Sequence, residues 1–192
     1  MTVLTKPTNL FLALAWTAYL LFWVISAARS KRTERVRNWA LTFLMVAAVV
    51  TLFLLLRPGM VPDGINSVLW RSTLPVGICA DVVVLIGLLV LIWARRTLGA
   101  NWSANAGFAR DHELVKGGPY EYVRHPIYSG FLTMILGTTI AYGHLIGTII
   151  LAVCTVGLYL KALREEAVLT EKFSDVYLKY KARTKALIPF LL

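Results

Sequence analysis

The sequence predicts an all-α, polytopic membrane protein with about five transmembrane helices. Hydrophobic residues make up 58% of the 192 residues, charged residues make up 16%, and the mean hydropathy is +0.68. Soluble domains usually contain about 25% charged and about 45–50% apolar residues. The apolar residues here form long runs, and a helix needs about 20 such residues to cross the hydrocarbon core of a bilayer. At this length, residues 1–192 are expected to form a single domain.

Five apolar runs predict the spans in order along the chain. The first follows Lys6 without a small-residue cleavage site, so we expect it to remain as a span and not to be removed as a signal peptide. The second stops at the breaker Arg57-Pro58-Gly59. The predicted spans are residues 10–28, 39–56, 75–94, 127–142 and 145–160.

The fourth and fifth spans are predicted to form a helical hairpin, because only Gly143-His144 separates them. The fourth run is short and contains Gly130 and Gly137. We therefore expect it to be tilted, partly re-entrant or closely packed against a neighbour. A count of four full crossings is the alternative to five.

The basic residues of the connections predict the orientation. Residues 29–37 hold five Lys or Arg, residues 57–74 two, residues 95–126 five, residues 143–144 none, and residues 161–192 seven. Cytoplasmic connections carry the excess of Lys and Arg. The N-terminus is therefore expected outside, and the C-terminus and both long polar segments in the cytoplasm, at a bacterial inner membrane or the endoplasmic reticulum.

Charge and cysteine usage exclude several kinds of site. The net charge of +10 could indicate nucleic-acid binding, but the basic residues cluster beside apolar runs, where membrane lipid headgroups explain them better. We expect no nucleic-acid partner. Cys79 and Cys154 lie inside apolar runs, and no Cys/His spacing indicates a metal site. We expect neither a disulfide nor a metal, and we expect Asp81, within the third span, to be structural.

The stretch from residue 118 to 130 combines a sharp turn with several polar and aromatic side chains. Gly117-Gly118-Pro119 predicts a turn at which the backbone can approach a ligand, and Pro126 suits the first turn of a helix. Tyr120, Arg124 and His125 lie between them. Two interpretations stay open on the residues alone: a ligand site, or an interfacial anchor at headgroup depth.

A second group of charged residues lies at the inner end of the fifth span. Lys161 and Glu165 are one helical turn apart, and Arg164 and Glu166 flank Glu165. Carboxylates here oppose both the helix dipole and an acidic membrane surface. They indicate a cationic partner or a ribose hydroxyl, or alternatively a solvated helix end with Lys–Glu pairing.

Several stretches of the second half of the chain together resemble one known family. They are Asn101-Trp102-Ser103, the segment HELVKGGPYEYVRHPIYSG at residues 112–130, Glu165-Glu166, residues 173–180 and Ile188-Pro189. In this combination the chain, from about residue 98 onward, resembles the isoprenylcysteine carboxyl methyltransferase family, which belongs with the phospholipid methyltransferases among integral membrane methyltransferases. The resemblance implies a catalytic part at about residues 98–192.

The resemblance implies methyl transfer from S-adenosyl-L-methionine, with S-adenosyl-L-homocysteine as product, to a lipophilic acceptor that enters from the bilayer. The resemblance implies that Lys161 binds the substrate where the family carries an arginine. From their charge, Arg124 or Lys161 would be catalytic and hold one oxygen of a carboxylate acceptor while the other attacks. Asn105 stands where well-known members carry a glutamine. The positions implied to contact the cofactor are Asn105, His112, Glu113, Leu114, Val115, Tyr120, His125, Pro126, Ile127, Tyr128 and Glu165.

Other functions stay open at this point. Within enzymes, the alternative is N-methylation of a phospholipid amine or methylation of another small lipophilic acceptor. From a different class, the chain could be a non-catalytic membrane protein that binds a ligand on the same scaffold. The presence of so many costly polar and aromatic groups at one membrane face favours the enzyme.

Overall fold

The computed structural model describes residues 6–28, 62, 64, 67–99 and 114–188. Within them, α1 is Lys6–Ala28, α2 is Leu74–Leu98, α3 is Pro126–Tyr142 and α4 is Leu145–Arg183. A short 3-10 helix, Gly118–Glu121, precedes α3. The described part contains two isolated β-bridges and no named strand, so the all-α prediction is confirmed. The predicted span at residues 39–56 lies outside the described residues.

Three of the described helices are long and apolar enough to cross a membrane. They are α1, through its segment Pro7–Ser26, together with α2 and α4. Helix α3 has 17 residues, which is about 25 Å at 1.5 Å per residue and a little less than the roughly 30 Å of a hydrocarbon core. The membrane-helical class is therefore confirmed, while the count of five crossings stays a prediction.

Glycines bring α2 and α3 into backbone contact. A Cβ on Gly130 would lie 2.7 Å from the carbonyl oxygen of Gly87, and a Cβ on Gly87 would lie 2.7 Å from the carbonyl oxygen of Gly130. About two turns further along α3, a Cβ on Gly137 would lie 2.8 Å from the carbonyl oxygen of Ala80. Small residues at helix–helix contacts allow this approach in membranes. Of the three alternatives predicted for this run, close packing against a neighbour is the one that these distances show.

Replacing Gly130 by alanine is expected to destabilise the protein by about 1–3 kcal/mol, because the added methyl meets backbone that cannot move without separating α2 from α3. The unfolding temperature of the purified protein in detergent measures this. Gly157→Ala on α4 is the matched control, since a Cβ there has nothing within 4 Å. Equal unfolding temperatures for the two variants would contradict the close contact.

Aromatic side chains of α1 pack against α3. The indole Nε1 of Trp16 donates to Thr138 Oγ1 at 3.0 Å. The ring of Phe131 lies 5.9 Å from Trp16 and 5.7 Å from Tyr19, centroid to centroid. Trp16 and Tyr19 are almost fully buried. Helix α1 therefore supports α3 through buried aromatic side chains.

The sequence also singled out one carboxylate and two cysteines inside the predicted spans, Asp81, Cys79 and Cys154. The Asp81 carboxylate on α2 is hydrogen-bonded by the side chain of Thr8 on α1, which links the two helices and favours the structural role expected for it. Cys79 and Cys154 are both free, as expected.

The hairpin between α3 and α4 is confirmed, and a preceding segment closes over it. Gly143 ends α3 in the left-handed conformation, at φ 66°. Its carbonyl oxygen accepts from the Leu69 backbone at 2.8 Å, and the backbone N–H of Leu145 donates to Ser67 O at 2.9 Å. Trp70 Nε1 donates to Ile140 O at 2.9 Å. This end of the bundle is therefore fixed, and the charged residues gather at the other end.

Helix α4 continues well beyond the predicted span at residues 145–160 and turns back on itself. Ser174 has φ 43° and ψ −125°, outside helical geometry. Lys181 Nζ lies 2.8 Å from Glu166 Oε2, although 15 residues of straight helix would separate the two by about 22 Å. The chain therefore reverses at Ser174. We call residues 175–188, which follow the reversal, the C-terminal arm.

Candidate active site

The site lies where the start of α3, the middle of α4 and the C-terminal arm meet. The 3-10 helix leads into it from Gly118, whose φ of 63° is one that glycine adopts readily. A Cβ on Gly118 would lie 3.1 Å from Thr97 Oγ1 at the end of α2. The side chain of Tyr120 is buried, and its carbonyl oxygen accepts from the hydroxyl of Tyr180 in the arm at 2.7 Å. Both α2 and the arm therefore fix this turn.

Backbone hydrogen bonds hold the residues before α3 against the arm. The N–H of Arg124 donates to Lys185 O at 2.8 Å, and the N–H of His125 donates to Ala186 O at 3.0 Å. Pro126 then begins α3, where its missing N–H costs no helical hydrogen bond. The arm therefore determines the direction in which His125 and the first turn of α3 enter the site.

A group of hydrogen-bonded side chains, which we call the Tyr128 cluster, joins α3 to α4. It consists of Tyr128, Lys161, Glu165 and His125. The Tyr128 hydroxyl donates to Glu165 Oε1 at 2.7 Å and accepts from Lys161 Nζ at 2.5 Å, and Lys161 Nζ lies 3.0 Å from the same Glu165 oxygen. The His125 ring stacks on Tyr128, with centroids 5.3 Å apart and planes 4° apart. Residues from two separate motifs therefore meet, as the sequence predicted.

A second, buried group surrounds Glu166, whose side chain is 2% exposed. We call it the Glu166 cluster. Arg124 Nε donates to Glu166 Oε1 at 2.6 Å, Lys181 Nζ lies 2.8 Å from Oε2, and His125 Nε2 lies 3.4 Å from Oε1. Burial alone would raise the pKa of Glu166, but hydrogen bonds from His125, Lys181 and Arg124 lower it to about 2. The carboxylate is therefore ionised, with the Arg124 guanidinium beside one oxygen and the Lys181 ammonium beside the other.

The lowered pKa predicts how stability depends on pH. The folded pKa of Glu166 is about 2 and its ordinary value 4.5, so its contribution to stability is present above pH 4.5 and is lost as the pH falls toward 2. The unfolding temperature of the wild type should therefore fall faster than that of Glu166→Gln over this interval. Parallel curves for the two proteins would contradict a carboxylate stabilised by these partners.

The remaining residues singled out by the sequence fall into three groups. Leu114 and Val115 are half-buried, and Val115 packs against the hydrophobic core. Pro126 and Ile127 are buried at the start of α3. Asn105, His112 and Glu113 lie outside the described residues, so their proposed contacts stay predictions.

The sequence predicted no site residue in the C-terminal arm, although residues 173–180 and Ile188-Pro189 contribute to the family resemblance. Lys181, Thr184 and Lys185 reach residues of the α3 entrance although about 60 positions separate them in the chain. One signal was available: Glu165 and Glu166 are adjacent, and adjacent side chains on a helix point about 100° apart. The two carboxylates therefore point in different directions, and the structure places Glu165 in the Tyr128 cluster and Glu166 in its own cluster.

Comparison with known proteins places this arrangement in a family. Residues 76–176, which include nearly all of α2, the whole of α3 and most of α4, match the family model for phospholipid methyltransferases. That match covers more than half of the chain and contains Tyr128, Lys161 and Glu165. The chain belongs to the phospholipid methyltransferase family.

Curated relatives agree with the resemblance noted in the sequence. A protein-S-isoprenylcysteine O-methyltransferase of Schizosaccharomyces pombe is 35% identical over 83 residues, which are 43% of this chain and 35% of the relative. The Saccharomyces cerevisiae enzyme of the same name is 31% identical over 113 residues, 57% of this chain and 47% of the relative. Methanethiol S-methyltransferase 1 of Bradyrhizobium diazoefficiens is 38% identical over 72 residues, which are 37% of this chain and 24% of the relative. The chain thus matches less than half the length of each of these relatives.

A solved structure shares the fold. The eukaryotic intramembrane Ras methyltransferase ICMT (isoprenylcysteine carboxyl methyltransferase) superposes with a TM-score of 0.59 at 21% sequence identity. The match covers 99% of this chain and 70% of that one. The helical membrane scaffold predicted from the sequence is therefore confirmed for this family member.

Proposed function

We propose that the protein is a membrane methyltransferase that moves a methyl group from S-adenosyl-L-methionine to a lipophilic carboxylate acceptor of the isoprenylcysteine type. The observation that carries this proposal is the Tyr128 cluster, in which Glu165, Lys161 and Tyr128 lie within 3.0 Å of one another. It combines an anionic group, a cationic group and an aromatic surface at one end of the bundle. Membership in the family and the names of the curated relatives support the same reaction class.

The chemistry of these side chains fits the methyl donor. S-adenosyl-L-methionine supplies a methyl group on a positively charged sulfonium, together with an ammonium group and ribose hydroxyls. The Glu165 carboxylate is 20% exposed and can accept from the ammonium or from a ribose hydroxyl. The Tyr128 ring, which already lies 4.8 Å from Lys161 Nζ, is an aromatic surface of the kind that attracts positive charge. We propose that Leu114, Val115 and Tyr120 contact the apolar parts of the same ligand.

Lys161 is the residue best suited to bind the acceptor. Its side chain is 44% exposed and its Nζ lies at the edge of the cluster, 4.8 Å from the centre of the Tyr128 ring. A carboxylate acceptor is ionised at neutral pH, so it requires no general base before it attacks. The lysine can therefore hold one acceptor oxygen while the other approaches the methyl group in line.

Lys161→Gln is expected to raise the KM for the acceptor about tenfold or more, because a charge-assisted hydrogen bond is worth about 1.5–3 kcal/mol. The affinity for S-adenosyl-L-homocysteine should not fall, since the substitution also frees Glu165 from a competing ammonium. Lys179→Gln, on the exposed side of the arm, is the matched control. Equal KM values for the two variants would contradict an acceptor role for Lys161.

The acceptor class is tested with donor labelled in its methyl group. The purified protein receives either a prenylcysteine analogue or phosphatidylethanolamine, and the product is treated with mild base. Base-labile label in the prenylcysteine product supports carboxyl O-methylation, because esters hydrolyse under these conditions. Base-stable label in the phospholipid alone would overturn it in favour of amine N-methylation.

We also propose that the site faces the cytoplasm of a bacterial inner membrane or of the endoplasmic reticulum. The support is the excess of Lys and Arg in residues 95–126 and 161–192 over residues 57–74. Both segments of the Tyr128 cluster then lie on the side where nucleotide-derived cofactors are found. The acceptor would enter laterally from the bilayer.

A further inference from the structure

We propose that Arg124 is a positioning residue which joins the entrance of α3, the middle of α4 and the C-terminal arm, and that it does not bind the acceptor. Its effect on catalysis rests on the proposed function. Its effect on the folded structure does not, and the experiments below separate the two.

Among the residues that the structure describes, the Arg124 side chain contacts protein groups from two other segments. Its Nε donates to Glu166 Oε1 at 2.6 Å. Its Nη1 donates to the carbonyl oxygens of Lys181, at 3.2 Å, and of Thr184. The backbone N–H of the same residue donates to Lys185 O at 2.8 Å. One residue therefore connects three segments that are distant in sequence.

The partners of Arg124 suit a guanidinium and oppose binding of a second anion. The last carbonyl oxygens of a helix carry partial negative charge, and those of Lys181 and Thr184 close the end of α4. Glu166 adds a full, buried negative charge. The planar, directional donors of arginine can reach carboxylate and carbonyls at once, which a lysine cannot do. An acceptor carboxylate would have to displace Glu166 or lie beside it, and like charges repel.

Arg124 controls the Tyr128 cluster through its neighbours in the chain. His125 follows it directly, stacks on Tyr128, and lies 3.6 Å from Glu165 Oε2 and 3.4 Å from Glu166 Oε1. Holding Arg124 to Glu166 therefore sets the position of α3 relative to α4. It also sets the distance across which Tyr128 hydrogen-bonds to Glu165.

The first experiment compares Arg124→Gln with Arg124→Lys and with the exposed control Arg183→Gln. We expect Arg124→Gln to weaken the binding of S-adenosyl-L-homocysteine at least tenfold, and to change the acceptor KM less than twofold at saturating donor. Arg124→Lys should recover little of the binding, because lysine restores the charge without the planar array of N–H donors of a guanidinium. An acceptor KM raised tenfold or more with unchanged binding of S-adenosyl-L-homocysteine would overturn the proposal.

The second experiment needs no ligand. A double-mutant cycle of Arg124→Gln and Glu166→Gln is followed by thermal unfolding of the whole chain in detergent. We expect the double variant to unfold at a higher temperature than the sum of the two single effects predicts, because each single change leaves a charged partner buried. Additive effects would overturn the proposed connection.

The two experiments distinguish this inference from the proposed function. If the folded wild type fails to bind S-adenosyl-L-homocysteine, the proposed function is wrong, and the cycle still decides whether Arg124 joins the three segments. If Arg124→Gln does not fold but the double variant with Glu166→Gln does, the rescue supports the connection. A double variant that does not fold although Glu166→Gln alone folds would count against it.

Discussion

Glu165→Gln is expected to weaken the binding of S-adenosyl-L-homocysteine about ten- to a hundredfold, because one charge-assisted hydrogen bond is worth about 1.5–3 kcal/mol. The substitution keeps the size of the side chain and removes the negative charge that now accepts from Tyr128 and Lys161. We propose that the same charge receives the ammonium or a ribose hydroxyl of the donor. Calorimetry of the purified variant measures the dissociation constant.

Glu171→Gln is the control for that result. Glu171 lies on the same helix, six residues further along, and its side chain is exposed to solvent. The same change in charge is therefore made without touching the Tyr128 cluster. Equal losses of affinity in Glu165→Gln and Glu171→Gln would mean that the overall charge of α4, and not Glu165, determines binding.

Glu166→Ala is expected to produce the largest loss of stability, about 3–5 kcal/mol, since removing one partner of a buried ion pair leaves the other charge uncompensated. Arg124 and Lys181 would both lose their carboxylate. For a chain of this size the unfolding temperature should fall by about 6–20 °C. A thermal shift measurement in detergent checks this.

Glu171→Ala should leave the unfolding temperature nearly unchanged, because substitutions at exposed sites usually alter stability by less than about 0.5 kcal/mol. If Glu166→Ala had the same unfolding temperature as this control, the Glu166 cluster would contribute nothing to the stability of the fold. The pH dependence expected for Glu166→Gln tests the same cluster without removing the side chain.

Most of the helical scaffold could be predicted because a membrane leaves the backbone few choices. Every N–H and C=O in hydrocarbon must be hydrogen-bonded within the protein, so an uncharged apolar run of sufficient length forms a helix. The predicted span at residues 75–94 corresponds to Leu74–Leu98, and the one at residues 127–142 to Pro126–Tyr142. The differences of a few residues come from flanking polar turns that continue the helix.

The reversal of α4 could not be predicted in this way. It depends on a positive φ at Ser174, a conformation that serine seldom adopts and that its sequence context does not indicate. The arm is then held by contacts such as Arg124 with Thr184 and Tyr180 with Tyr120, which join residues 60 positions apart. Local patterns carry no information on such pairs.

The site was predicted in part. The sequence predicted that the two motifs share one site, and the structure brings Tyr128, Lys161 and Glu165 within hydrogen-bonding distance, while their part in binding a cofactor stays a prediction. For Arg124, residue type alone suggested a carboxylate partner, and the structure supplies one from the protein itself, Glu166. Its role as an acceptor ligand was a prediction from charge, and the geometry favours positioning.

Titration of the purified, folded chain with S-adenosyl-L-homocysteine in a calorimeter tests the central claim most directly. The proposed methyltransferase predicts saturable heat with one ligand bound per chain, and a dissociation constant that rises in Glu165→Gln but not in Glu171→Gln. A sample that unfolds cooperatively on heating and yet gives no binding heat would contradict the proposal that the Tyr128 cluster holds this cofactor.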